Sequence, residues 1–70
     1  MASKEEITTS ELIEAIDEHV HNQRNRLLLK RRLIDGIIFE DLAEEFDLSV
    51  RQTKRIVYRE SEKIFKNIIS

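Results

Sequence analysis

Apolar residues recur along this chain at helical spacing, and the polar residues between them say where each stretch begins and ends. Leu12, Ile13, Ile16 and Val20 fall at steps of three and four, and Thr8 with Glu11 ahead of them makes a capping box. The spacing predicts a first helix over residues 9–21. His21-Asn22-Gln23-Arg24-Asn25 then interrupts the pattern with polar residues and two weak helix formers, so the helix either breaks here or runs straight on. Leu27, Leu28, Leu29, Leu33 and Ile34, interleaved with Lys30, Arg31 and Arg32, predict a second amphipathic helix. Gly36 stands at a suitable C′ position to stop it.

The stretch from Phe39 to Phe65 has a different organisation. Leu42, Ala43 and Phe46 lie on one face of a short helix, with Glu40, Asp41, Glu44 and Glu45 pointing away from it. Asp47-Leu48-Ser49 reads as a tight turn. Ser49 and Gln52 then form a second capping box, so a helix begins at Val50. Thr53, Ile56, Val57, Ile64 and Ile68 face inward on that helix, while Arg51, Gln52, Lys54, Arg55, Tyr58 and Arg59 remain on its outer surface. Ala43 sits where two helices cross closely. A short acidic helix, a tight turn and a longer basic helix follow one another in the order of a DNA-reading helix-turn-helix.

Composition narrows the class. Seventy residues allow one small domain, and one Gly, no Pro and 37% charged residues favour an all-α fold of three or four helices. The expected organisation is a single domain over 1–70, with an acidic amphipathic helix over 8–22 and a helix-turn-helix domain over 23–70, motif 39–59. The absence of Cys excludes disulfides and thiolate metal sites and fits a cytoplasmic location. No apolar run is long enough for a membrane span, and Met1 to Glu6 is too acidic for a signal peptide.

The net charge of −2 hides a division. Ser49 to Ser70 carries six basic and two acidic residues, whereas Met1 to Gln23 carries one basic and six acidic ones. An acidic chain with one basic helix argues for a directed contact with a polyanion rather than general charge coating.

Leu33 to Phe65 resembles the DNA-binding region 4 of bacterial sigma factors and the small sigma-like phage regulators of the ArpU type. Phe39, Glu40, Asp41, Leu42, Ala43, Phe46, Asp47, Leu48, Ser49, Lys54 and Ile56 carry the likeness, over about half the chain. Ile38 stands where such families often place a Thr cap, and Thr53 replaces their usual Val or Ile. The resemblance implies base-facing positions at Val50, Arg51 and Lys54, with Gln52, Arg55 and Arg59 nearer phosphate. Side-chain chemistry gives a related assignment: Arg51 pairs with a guanine edge, Gln52 pairs with adenine, and Lys54, Arg55 and Arg59 neutralise phosphates. Ser49 caps the reading helix.

Double-stranded DNA is therefore the expected partner, and a small transcriptional regulator of phage or mobile-element type the expected role. A module this small binds weakly alone, which points to a homodimer through Leu12, Ile13, Ile16 and Val20, or to a protein partner such as RNA polymerase. Two alternatives use the same residues. One is the DNA-recognition part of a phage packaging subunit resembling a small terminase. The other is a protein-interaction module whose acidic first helix or Leu27 to Leu33 face docks a partner, the basic helix being a solvated surface with pairs such as Glu62 with Lys66. No catalytic constellation, metal site or cofactor is expected. His19 and His21 point roughly 200° apart on a helix, and Asp17 with His21 fits a surface hydrogen bond better than a metal pair.

Overall fold

The structure, a computed structural model, describes residues 8–69 and the side chains of 8–67. Four helices make it up: α1 (Thr9–His19), α2 (Gln23–Leu33), α3 (Phe39–Glu45) and α4 (Val50–Ile69). The fold is all-α, as the spacing predicts. The longest helix, α4, packs against each of the other three, while α1 and α3 do not touch.

Both capping boxes form. Thr8 Oγ1 accepts from the Glu11 amide at 3.1 Å and a Glu11 carboxylate oxygen accepts from the Thr8 amide at 3.4 Å, which starts α1. The helix ends two residues earlier than its apolar spacing suggests. Val20 leaves it in extended conformation yet is buried, and Asn22 then caps α2, its side chain accepting from the Asn25 amide at 3.1 Å. Of the two readings of this segment, the break is the one that occurs. Asn stabilises a new helix start better than it tolerates a helix interior.

At the end of α2, Gly36 adopts φ +71°, one residue beyond the C′ position expected for it. The turn between α3 and α4 is tighter. Asp47 takes φ 56°, its amide donates to the Glu44 carbonyl at 3.3 Å, and the Leu48 amide donates to the Ala43 carbonyl at 2.8 Å. Those two bonds make a Schellman motif with Asp, a residue that tolerates the left-handed region, in the place Gly usually holds. Leu48 then folds back onto the core.

That core unites Ala15, Ile16 and Val20 with Leu28 and Leu29 of α2 and Ile56, Val57 and Ile64 of α4. The face of the first helix expected to carry a dimer contact turns largely inward. Ile16 and Val20 are fully buried inside the chain's own core, Leu12 packs against it, and Ile13 is half-buried. α2 and α4 cover most of this stripe. Ile68, expected inward, lies outside the described side chains.

Thr53 is also buried, and its hydroxyl donates to the Ser49 carbonyl at 2.8 Å. A Thr fits the space of a Val here because that bond satisfies its one polar group.

Candidate nucleic-acid interface

A helix presents a rigid outer surface only if its other side is held. Thr53, Ile56, Val57, Glu60 and Ile64 are buried along one side of α4, and Arg51, Gln52, Lys54, Arg55, Tyr58 and Arg59 are exposed on the other. Ser49, exposed, and Val50, half-buried, begin the helix. The sequence-derived set Ser49, Val50, Arg51, Gln52, Lys54, Arg55 and Arg59 is thus gathered on the first three turns.

Gln52 is more constrained than its exposure suggests. Its Oε1 accepts from the Ser49 amide at 3.0 Å, and Ser49 Oγ accepts from the Gln52 amide at 3.0 Å. Bidentate pairing with adenine needs both the oxygen and the nitrogen of the Gln amide. The adenine pairing expected of Gln52 would therefore compete with its cap.

Three cations of α2, Lys30, Arg31 and Arg32, are engaged within the chain. Lys30 pairs with Asp17 at 2.8 Å. Arg31 makes two parallel bonds of 3.0 Å to Glu45 of α3 and reaches Asp35 at 3.3 Å. Those carboxylates raise the Arg31 pKa above its ordinary value, Glu45 first. Arg32 donates to the Ile37 carbonyl at 2.9 Å and lies 4.1 Å from the centre of the Phe39 ring. The first turns of α4 differ. Among the described residues Arg51, Lys54 and Arg55 have no ion-pair partner, and Glu62 and Lys66 stay apart.

Two features escape a reading of the sequence. Phe39, at the start of α3, meets the Tyr58 ring edge-on at 5.8 Å and 71°, and the Lys54 ammonium lies 5.7 Å from its centre. An aromatic ring thus flanks the exposed face of α4 and holds a cation from each of α2 and α4. The second is a buried polar chain. Arg24 Nε and Nη2 donate to Asn25 Oδ1 at 3.3 and 3.2 Å, and Asn25 Nδ2 donates to Glu60 Oε2 at 3.4 Å. Arg59 and Lys63 reach the same carboxylate at 3.6 and 3.4 Å. Asn25 and Glu60 are 4% and 6% exposed. The signal for Glu60 was its place between Ile56 and Ile64, four residues from each, on the apolar stripe of α4.

No three His, Asp or Glu side chains gather as metal ligands among the described residues. No described helix is long and apolar enough to cross a membrane. The chain matches no protein-family model, no curated protein and no solved structure with which it was compared.

Proposed function

We propose that this chain binds double-stranded DNA sequence-specifically by seating the first turns of α4 in the major groove. The observation that carries the reading is the contrast between helices. Lys30, Arg31 and Arg32 of α2 are engaged by carboxylates, a carbonyl and an aromatic ring of the chain itself, while Arg51 and Arg55, and Lys54 apart from its contact with the Phe39 ring, emerge without an ion-pair partner among the described residues from a helix anchored on its opposite side. Outward cations on the N-terminal half of the second helix of a helix-turn-helix are where base and phosphate contacts are made. Arg51 reads a guanine edge, Lys54 and Arg55 meet bases or phosphates at the groove, and Arg59 neutralises phosphate. Gln52 serves the cap.

The regulatory role, of phage or mobile-element type, follows from the resemblance to sigma region 4 and ArpU-type regulators. Tight operator binding needs a second half-site or a protein partner. A second copy of this chain would meet the first elsewhere than on Ile16 and Val20, which are buried.

Selection of bound duplexes from a random pool tests the reading. A preferred site should emerge, and Arg51→Ala should cost roughly 1 to 3 kcal/mol on it and relax preference at one position. Absence of duplex binding at low salt would overturn the proposal in favour of the protein-interaction module.

A further inference from the structure

A buried carboxylate is costly unless cations or hydrogen-bond donors compensate it. Glu60, its side chain 8% exposed, has the Asn25 amide on one oxygen and draws in both Arg59 and Lys63, whose own side chains are 58% and 56% exposed. The Lys63 ammonium approaches Oε1 as an ion pair without hydrogen-bond alignment. Tying α2 to α4 requires only the Asn25 bond. The node instead gathers three cationic side chains, Arg24 through Asn25 and Arg59 and Lys63 directly, with all three residues exposed to solvent.

Helix geometry says where this group lies. Lys54 and Lys63 are nine residues apart, about half a turn around α4 and about 13.5 Å along its axis. Lys54 sits toward α3, over the Phe39 ring, and Lys63 toward the start of α2. The outward stripe of Arg51 and Arg55 runs between the two sides. A major groove about 12 Å wide has a phosphate wall on each side of an inserted helix.

We propose that Arg24, Arg59 and Lys63, presented by the buried Asn25–Glu60 pair, grip the phosphodiester backbone on the flank of the groove opposite Lys54. Glu60 and Asn25 are positioning residues in this arrangement, and only the three cations touch DNA. The proposal rests on the reading of α4 as the groove helix and adds to it the second wall and the direction of docking.

Salt titrations of duplex binding test it, on the selected site and on a random duplex. Arg24→Ala and Lys63→Ala should each flatten the dependence of log affinity on log salt by about 1, equally on both duplexes. Lys30→Ala removes the same charge from a residue paired with Asp17 and should flatten it far less. Glu60→Gln keeps the side chain's shape and raises the net charge by one, so charge alone predicts tighter binding. The positioning role predicts weaker binding and a flatter slope, with helical content retained by circular dichroism. Tighter binding by Glu60→Gln, or equal slopes for Lys63→Ala, Arg24→Ala and Lys30→Ala, would overturn the proposal. If Arg51→Ala still loses site preference in that case, only the second wall fails. If the wild type binds no duplex, the groove reading fails and the grip falls with it.

Discussion

Gln52 and Ser49 cap each other: each side-chain oxygen accepts from the other's backbone amide at 3.0 Å. The reciprocal bond fixes the first turn of α4 and so the direction in which Arg51 leaves it. Removing one half exposes its worth. Ser49→Ala should lower the unfolding free energy by about 1 kcal/mol in urea denaturation. Gln52→Glu keeps a capping oxygen and should stay within about 0.5 kcal/mol of wild type. It should nonetheless weaken duplex binding, because it sets a carboxylate beside Arg55 on the exposed face of α4. A Ser49→Ala variant as stable as wild type would contradict the cap.

The two left-handed residues among those described, Gly36 and Asp47, should respond with opposite signs. Gly36 has φ +71° and nothing within 4 Å of an added Cβ, so Gly36→Ala is opposed by backbone conformation alone, at about 1 kcal/mol. Asp47 already bears that conformational cost at φ 56°. Asp47→Gly should be neutral or stabilising by up to about 1 kcal/mol, since the relief of strain exceeds the added freedom of the unfolded chain. Thermal melting of the pair decides it, and a loss of stability in Asp47→Gly would mean that the Asp side chain has another role.

Local patterns were readable and distant ones were not. The starts of α1 and α4 follow from Thr8 with Glu11 and Ser49 with Gln52, each pair three residues apart and needing no other part of the chain. The end of α1 depended on whether Asn22 would cap a new helix, which packing of Val20 helps to decide. Periodicity shows that Ile16 and Val20 must be buried, but not against what. Asn25 and Glu60 are 35 residues apart, and no spacing rule connects them.

Ile16 gives the sharpest test of where the α1 stripe goes. It is 0% exposed and belongs to the core shared by α1, α2 and α4. Ile16→Ala should cost about 2 to 5 kcal/mol by lost burial and the cavity left behind. Stability of about 0.05 to 0.15 kcal/mol per residue makes that a large share of what a chain of this size holds. The variant should therefore unfold near ambient temperature at any protein concentration. A midpoint that falls only on dilution would instead restore the dimer face.

Phe39 carries three contacts on one half-buried ring: the Arg32 guanidinium at 4.1 Å, the Lys54 ammonium at 5.7 Å and the edge-on Tyr58 ring at 5.8 Å. Cation–π contacts at exposed sites are worth about 0.5 to 1 kcal/mol and an aromatic pair about 0.5 to 1.5 kcal/mol. Leucine keeps the apolar bulk but has no ring face. Phe39→Leu should lower stability by about 1 to 2 kcal/mol, and Phe39→Tyr should keep most of it. Duplex binding then separates presentation of Lys54 from packing. If the ring holds the ammonium at the groove, Lys54→Ala should weaken binding less in the Phe39→Leu background than in the wild type, because part of its contribution is already gone. Strictly additive losses in this double-mutant cycle would show that the two side chains act independently, and that Lys54 reaches DNA, if it does, without help from the ring.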